Sequence, residues 1–250
     1  MSQTVSVVGG SGRLGTLVVR ALAERGAVAA SISRRTGFDL QRSSMDDLTR
    51  ALAGVDVVVD CSDAPDRRVA TFESSARALA EAAEAAGVTH LALVSIVGVD
   101  RPSLKSMSYY QGKLAQERAL TAGTVPVSIV RSTQWFGFVD QVYPSVRLAG
   151  GRWGLAPAMR MQPVSGEAVA ARLADAAFEP LPGQWLELAG PEVMSLADLI
   201  RRVWRARGQQ ARVAQVPIPG LKGFTDGALL PGADAEIDPT TIEQWVASSS

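Results

Sequence analysis

The sequence predicts a doubly wound α/β domain, in which helices cover both faces of a parallel sheet, with a small C-terminal lobe. Short β-branched runs alternate with helical patterns through the first 134 residues, and this alternation implies right-handed crossovers between parallel strands. The pattern then changes and bulky aromatic residues appear. We therefore expect a core over residues 1–134 and a lobe over 135–250, with some later segments returning to the core.

The individual elements follow from local patterns. Apolar runs predict buried strands at Thr4–Val8 and Val55–Asp60. Strand-like patterns also predict strands at Ala27–Ser33, Leu91–Ser95 and Val125–Arg131. Apolar residues at helical spacing predict helices at Arg13–Arg25, Val69–Ala83, Ser103–Ala122 and Ser165–Phe178, and one behind an N-cap at Ser195. Gly87 fits a helix C-terminus. Residues 217–239 contain four prolines and four glycines, which favours a loop or lid.

Composition excludes several classes of function. With 25 basic and 25 acidic residues, the net charge is zero, which argues against nucleic acid or an anionic membrane as the main partner. One cysteine and one histidine leave no intrachain disulfide, and no metal site is expected. The sequence shows no signal peptide and no run long enough to span a bilayer. We expect a cytoplasmic protein with a small-molecule substrate; the oligomeric state stays open.

A glycine-rich segment follows the first predicted strand. Gly10, Gly12 and Gly15 satisfy G-x-G-x-x-G, and Gly9, Gly12 and Gly15 satisfy the looser G-x-x-G-x-x-G. Such glycines permit a tight turn, backbone approach to a pyrophosphate and close packing of the helix on the strand. The helix N-terminus adds partial positive charge. The alternative is a glycine-rich turn without a ligand; the position between strand and helix favours a dinucleotide site.

The end of the second predicted strand bears on cofactor choice. An NAD site usually has an acidic residue there, whereas this chain reads Ser33-Arg34-Arg35. Guanidinium groups suit a 2′-phosphate, so the sequence favours NADP(H) over NAD(H). The alternative is that both arginines are merely solvated.

Tyr109 and Lys113 are spaced i and i+4 and share one helical face. An ammonium close to a phenol lowers the phenol pKa, and such a phenol can donate a proton to a carbonyl oxygen while hydride arrives at carbon. Lys113 could also hold the nicotinamide ribose. The alternative is a surface lysine beside an interfacial tyrosine.

Together these motifs resemble the short-chain dehydrogenase/reductase superfamily, in its atypical, NmrA-like branch. The resemblance is carried by Gly9-Gly-Ser-Gly-Arg-Leu-Gly15, the strand end at Asp60, Val94-Ser-Ile-Val-Gly-Val-Asp100, Tyr109-x-x-x-Lys113 and Ile129-Val-Arg-Ser-Thr-Gln134. Gly190-Pro-Glu192 and the Leu-rich helix behind it are similar to that branch's small substrate lobe. The resemblance covers nearly the whole chain and implies a Rossmann fold.

The resemblance also implies roles for individual residues. The pyrophosphate would meet Gly9, Ser11, Gly12, Arg13 and Leu14, and the adenosine phosphate would meet Ser33, Arg34 and Arg35. Cys61 and Ser62, after the fourth strand, would pass the adenine side, and Ser132, Thr133 and Gln134, after the sixth, would flank the nicotinamide. Tyr109 and Lys113 would be the acid/base pair.

The catalytic serine is the point of departure. In the superfamily it commonly lies one or two positions beyond Ser95, where this chain has Ile96 and Val97. Ser95 is therefore either a catalytic hydroxyl or one bonded to neighbouring backbone. The favoured function is reduction of a small apolar carbonyl or related substrate with NADP(H). A non-catalytic dinucleotide sensor and a sugar-nucleotide epimerase or dehydratase are the alternatives.

Three further features have structural interpretations. Cys61 is expected to be a small buried residue rather than a reactive thiol, and His90 a surface or capping residue. The aromatics Trp135, Phe136, Phe138 and Trp153 either wall a substrate pocket or form the core of the lobe.

Overall fold

The computed structural model of the chain describes residues 2–146, 153–181, 185–210, 212–217 and 222–248. The strands within these ranges are β1 (Thr4–Val8), β2 (Val28–Ile32), β3 (Val57–Asp60), β4 (His90–Ile96), β5 (Val127–Ser132), β6 (Trp153–Pro157), β7 (Arg160–Met161), β8 (Trp185–Ala189), β9 (Met194–Ser195), β10 (Arg212–Val216) and β11 (Glu236–Ile237). The helices are α1 (Arg13–Glu24), α2 (Met45–Ala51), α3 (Val69–Ala86), α4 (Ser108–Thr121), α5 (Phe138–Val146), α6 (Gly166–Phe178), α7 (Leu196–Ala206) and α8 (Ile242–Ser248).

Seven strands form one sheet in the order β2-β1-β3-β4-β5-β8-β11, and every neighbouring pair is parallel. The chain places β2 on one side of β1 and then β3 on the other. The loops that follow β1 and β3 therefore leave in opposite directions, and a crevice opens between them at the carboxyl edge of the sheet. The predicted doubly wound, Rossmann-like fold is confirmed.

Alternation along the strands explains why helices cover both faces. Val5, Val7, Val57 and Val59 enter one apolar cluster with α1 and α6, whereas Val8, Val58, Leu91 and Leu93 enter a second cluster with α2 and α3. Successive side chains of a strand point to opposite faces, so strands with apolar side chains on both faces need a cover on each side. This arrangement leaves only the sheet's carboxyl edge for ligands.

The C-terminal lobe has its own core. Strands β6 and β10 pair in parallel, β7 and β9 pair antiparallel, and α7 buries Leu199, Ile200 and Val203 against them. The predicted N-cap is confirmed, because Ser195 Oγ accepts a hydrogen bond from Asp198 N at 3.1 Å. Tyr110 of α4 is also part of this core. Segments α6, β8 and β11 return to the central sheet or its helical cover.

Several local expectations need correction. The helix expected from Ser103 begins at Ser108, because a 3₁₀ turn at Pro102–Leu104 precedes it. The roles implied by the resemblance assumed four strands before Cys61, but residues 33–44 contain no strand. Asp39 instead makes local turn contacts with Gln41 and Ser43, and such contacts compete with sheet pairing. Cys61 therefore follows the third strand and Ser132 ends the fifth.

Two further expectations concern His90 and the segment 217–239. His90 is buried at the start of β4, so the surface role is wrong. Its imidazole faces the backbone of Ala176 in the last turn of α6, which opposes the lowering of the His90 pKa by burial, and the capping alternative stays a prediction. Of the expected loop or lid at 217–239, residues 218–221 lie outside the described residues. The described remainder includes β11, which joins the sheet, and a stretch at Gly227 whose carbonyl accepts from Arg101 Nη1 at 2.8 Å.

Candidate functional site

The glycine loop turns sharply at the end of β1. Gly9 has φ +73°, a left-handed conformation that favours glycine, and its N–H donates to Ile32 O at 2.9 Å. The Gly12 N–H donates to Gly9 O at 2.8 Å, and α1 starts at the next residue. The loop therefore presents the unpaired N–H groups of a helix N-terminus at the crevice.

The space around each glycine of the loop differs from one position to the next. A Cβ on Gly15 would lie 2.2 Å from Gly9 O, and one on Gly10 would lie 2.5 Å from Ser31 Oγ, so both positions are closed by the protein itself. A Cβ on Gly12 would meet only Gly9 O, at 3.1 Å. Gly12 has φ −81° and ψ 173°, which any residue adopts. The backbone conformation at position 12 therefore does not require glycine, and what a side chain there would change is the space beside the loop.

The other predicted pyrophosphate residues divide by exposure. Ser11 and Arg13 are exposed at the mouth of the loop. The Leu14 side chain is buried in the core beneath the loop, so its contribution to a ligand is limited to its backbone N–H. Together these residues leave a polar, open surface at the start of α1.

The end of β2 carries the predicted arginines. Ser33 N–H donates to Thr36 Oγ1 at 2.9 Å, which fixes the 3₁₀ turn that holds Arg34 and Arg35. Both arginines are exposed, and within the described residues neither side chain forms a hydrogen bond or ion pair. Two guanidinium groups are thus available beside the crevice.

The polar residues after β5 are mostly engaged with the protein. Ser132 Oγ accepts from Trp135 Nε1 at 2.9 Å, and Thr133 Oγ1 donates to Gln162 O at 2.6 Å. Both hydroxyls therefore hold the loop together. Gln134 lies near the Tyr110 hydroxyl. Burial raises the Tyr110 pKa to about 12, and the nearby Gln134 amide opposes the rise.

Tyr109 lies in the first turn of α4 among other rings. Its ring contacts Phe72 edge-on with centroids 5.9 Å apart, and the Arg67 guanidinium carbon lies 5.2 Å from its centroid. Burial raises the Tyr109 pKa, the nearby Asp63 adds to the rise and Arg67 opposes it. The expected lowering of this pKa by Lys113 is therefore wrong, and the phenol holds its proton at neutral pH.

Lys113 is only 4% exposed and belongs to a buried hydrogen-bonded chain. Its Nζ donates to Gln116 Oε1 at 2.6 Å, and Gln116 Nε2 donates to Asp60 Oδ2 at 2.8 Å. Burial lowers the Lys113 pKa, whereas the Asp60, Asp63 and Glu117 carboxylates raise it. The chain joins α4 to the carboxyl end of β3.

Ser95 lies within β4 and is 2% exposed. Its Oγ has no hydrogen-bond partner among the described residues, so the backbone-bonded alternative is not what the structure shows. Burial also raises the pKa of the half-buried Cys61 thiol, and Ser62 N–H donates to Asp60 Oδ1 at 2.8 Å.

Two of the four aromatic residues after β5 belong to the core of the lobe. Phe136 is buried there beside Trp245, at 5.7 Å between centroids, and Phe138 packs against the same core. Trp135 packs instead on the α1–α6 side. Trp153 is 53% exposed, and the Arg212 guanidinium lies 5.1 Å from its centroid.

Sequence reasoning missed Gln116 and Arg67. Gln116 is three residues after Lys113 on the same helical face, a spacing that could have indicated their contact. Arg67 has φ +54°, which the sequence does not indicate, and its ring partner is 42 residues away in the chain.

The site fits an NAD(P) dinucleotide on this structure's own evidence. A Cβ on Gly12 would meet only Gly9 O, so there is space beside the loop, and the start of α1 offers N–H donors. Lys113 stands on the same helix as Tyr109, and the buried Ser95 hydroxyl has no hydrogen-bond partner among the described residues. Within the described residues no cluster of His, Cys, Asp and Glu could hold a metal ion.

Comparison with known proteins agrees with this geometry. Residues 9–180 match the NAD(P)H-binding family, which spans the loop, both arginines, Tyr109 and Lys113. The chain belongs to the NAD(P)H-binding family. The resemblance to atypical, NmrA-like short-chain dehydrogenases/reductases is thereby confirmed.

Relatives of this NAD(P)H-binding protein include reductases. It is 28% identical to the (4-alkanoyl-5-oxo-2,5-dihydrofuran-3-yl)methyl phosphate reductase of Streptomyces griseus, over 96% of this chain and 92% of the relative. Its fold is similar to the NADPH complex of an Escherichia coli NADPH-dependent quinone oxidoreductase, with TM-score 0.77, 19% identity and coverage of 98% and 99%. It is also similar to triphenylmethane reductase of Citrobacter sp. with NADP(H), with TM-score 0.72, 15% identity and coverage of 99% and 100%.

No helix in the described ranges is both long enough and apolar enough to cross a membrane.

Proposed function

We propose that this protein is an NADP(H)-dependent oxidoreductase that reduces a small, largely apolar carbonyl compound or related substrate. The observation that carries the proposal is the placement of Tyr109 and the buried Lys113 on one face of α4, with Lys113 tied to the end of β3. That position is at the same sheet edge as the glycine loop. A proton donor and a cation therefore lie where a bound dinucleotide would end.

The division of labour follows from the positions of these groups. When bound, NADPH supplies a hydride to the substrate carbon. The glycine loop and the start of α1 would take the pyrophosphate, Arg34 and Arg35 the 2′-phosphate, and Lys113 the nicotinamide ribose. The protonated Tyr109 hydroxyl would donate its proton to the carbonyl oxygen.

The lobe core beside Tyr109 supports a largely apolar substrate. Tyr109 is partly buried against this core, as are Ile96, Met107, Phe138 and Phe224, so one side of the phenol is apolar. The substrates named for two relatives, an oxo-dihydrofuran phosphate and a quinone, carry carbonyl groups, which supports a carbonyl compound as the substrate.

Cofactor preference is the first test. Arg34→Ala removes one charge from the proposed 2′-phosphate site, so NADPH affinity should fall by roughly 10- to 100-fold with little change for NADH. Arg20→Ala, an exposed arginine on α1, is the matched control. Calorimetric titration of both cofactors measures the effect; equal parental affinities for NADPH and NADH would refute the preference.

Turnover is the second test. A panel of aldehydes, ketones, quinones and enones is screened for NADPH oxidation. On any hit, Tyr109→Phe should lower turnover by roughly 10²–10⁴-fold, the usual contribution of a positioned general acid, with cofactor affinity nearly unchanged. Tyr110→Phe removes the neighbouring hydroxyl and should have a much smaller effect. Turnover that survives Tyr109→Phe would refute Tyr109 as the donor.

A dinucleotide sensor is the second candidate. It is favoured by two observations: the Ser95 hydroxyl is buried within its strand, and the Lys113 ammonium is bonded to Gln116 rather than to Tyr109. Tight NADPH binding with no turnover across the whole panel would establish this alternative over the enzyme.

A further inference from the structure

The buried chain from Lys113 to Asp60 suggests a role for two residues that the proposed mechanism does not use. We propose that Gln116 and Asp60 are positioning residues that hold the Lys113 ammonium in place and in its charged form at the cofactor site. This inference rests on the proposed cofactor role of Lys113.

The geometry leaves the ammonium one direct partner. Lys113, Gln116 and Asp60 are all at most 4% exposed, so water cannot replace their hydrogen bonds readily. Among the described residues only Gln116 Oε1 accepts a hydrogen bond from Lys113 Nζ. An ammonium has three donors, so two stay available for cofactor hydroxyls while the third fixes the side chain.

The charged groups around Lys113 differ in how they act on it. Cys61 and Asp63 face it from the loop after β3, Asp60 from the end of that strand, and Glu117 from α4 itself. Glu117 is already bound by both nitrogens of the Arg131 fork, at 3.0 and 2.7 Å. Asp60 alone reaches Lys113 through hydrogen bonds, by way of the Gln116 amide.

Asp60 accepts a second hydrogen bond, which links the position of Lys113 to the loop after β3. Its Oδ1 accepts from Ser62 N–H at 2.8 Å, while Oδ2 accepts from Gln116. One carboxylate thus fixes both the loop that leaves β3 and the amide that orients Lys113. Both are parts of the crevice wall beside the glycine loop.

The Phe72 ring of α3 covers another side of the Lys113 ammonium. A Cβ on Gly112 would lie 2.2 Å from the Phe72 ring, so α3 packs directly on α4 at this point, and Lys113 Nζ lies 5.9 Å from the centroid of that ring. The ammonium is therefore enclosed by a ring on one side and by Gln116 on another, which restricts its rotamers.

The test measures the Lys113 titration directly by NMR of ¹³Cε-labelled lysine. The chain contains only two other lysines, Lys105 and Lys222, so Lys→Arg variants of these assign the signals. Gln116→Met keeps the side-chain volume but removes the acceptor, and should lower the titration midpoint by about one pH unit. Gln116→Glu places a carboxylate against the ammonium and should raise it.

Gln111→Met is the matched control, because Gln111 lies on a different face of α4 and should leave the Lys113 midpoint unchanged. Asp60→Asn keeps an acceptor for Ser62 N–H but removes the negative charge, and should lower the midpoint. A purely structural role of Gln116 would not give opposite shifts for Met and Glu.

Cofactor binding completes the test. NADPH affinity should fall about tenfold in Gln116→Met and stay unchanged in Gln111→Met. A Lys113 midpoint that is the same in both Gln116 variants and the parent overturns this inference, and so does a shifted midpoint with unaltered NADPH affinity. Failure of the parent to bind NADPH at all overturns the proposed function instead, and the titration then reports on the buried chain alone.

Discussion

Gly12 and Gly15 of the glycine loop lie three residues apart, and different physical constraints act on them. Gly15 packs α1 onto the loop, since any Cβ there meets backbone at 2.2 Å. Gly12 has ordinary dihedral angles and an open side. The same motif thus contains Gly15, which the fold requires, and Gly12, which we propose the ligand requires.

This difference predicts opposite outcomes for the same substitution. Gly12→Ala should keep the free energy of unfolding within about 1 kcal/mol of the parent, because no backbone strain arises, and should weaken NADPH binding by tenfold or more by filling phosphate space. Gly15→Ala should destabilise the fold by about 1–3 kcal/mol through overpacking. Urea denaturation and NADPH titration measure the two effects; normal binding by Gly12→Ala would show that the phosphates lie elsewhere.

At the scale of elements, α4 is the helix that joins the site to the sheet. Its buried Glu117 forms a bidentate ion pair with Arg131 of β5, and the Arg131 guanidinium lies 4.5 Å from the centroid of the Trp185 ring in β8. Tyr109 and Lys113 stand on the same helix. The position of the candidate catalytic residues therefore depends on how firmly α4 is held.

Removal of the Glu117–Arg131 ion pair should lower the free energy of unfolding. Glu117→Gln replaces the carboxylate with a neutral amide and leaves the half-exposed Asp100 as the ion-pair partner of the buried Arg131 guanidinium among the described residues, so the free energy of unfolding should fall by about 3–5 kcal/mol. Glu73→Gln, which breaks the exposed Glu73–Arg77 pair on α3, should cost less than about 1 kcal/mol. Equal losses in urea denaturation would mean that the buried pair adds nothing beyond a surface pair.

At the scale of the whole molecule, the single histidine links stability to pH. His90 is buried at the start of β4, and burial lowers its pKa. Its folded-state pKa is therefore below its unfolded value of about 6.5. The stabilising contribution of neutral His90 is complete above that pH and is lost as pH falls towards the folded-state pKa.

The corresponding prediction uses a variant that cannot titrate. Between pH 7 and 5 the parent should lose stability faster than His90→Phe, by up to about 1.4 kcal/mol per pH unit. Carboxylates contribute equally to both proteins, so the difference between the two slopes isolates His90. If urea denaturation gives the same pH dependence of the free energy of unfolding for both proteins, protonation of His90 does not destabilise the fold.

The sequence by itself determined five of the seven strands of the sheet, most of the helices and the place of the dinucleotide loop. These are local properties. Strand runs such as Val57–Val59 are apolar at every position, which suits burial on both faces, and the spacing of Gly9, Gly12 and Gly15 is a backbone requirement. The i, i+4 spacing of Tyr109 and Lys113 likewise placed both on one helical face.

Only the tertiary structure decided what surrounds those residues. Asp60 and Gln116 are 56 positions apart and meet because β3 and α4 pack at the sheet's carboxyl edge. The Tyr109 pKa is raised, against expectation, because its ring is buried beside Phe72 and Tyr110 and lies near Asp63, while Arg67 only opposes the rise. Desolvation and charge proximity depend on atoms brought together by folding, and sequence spacing carries no information about either.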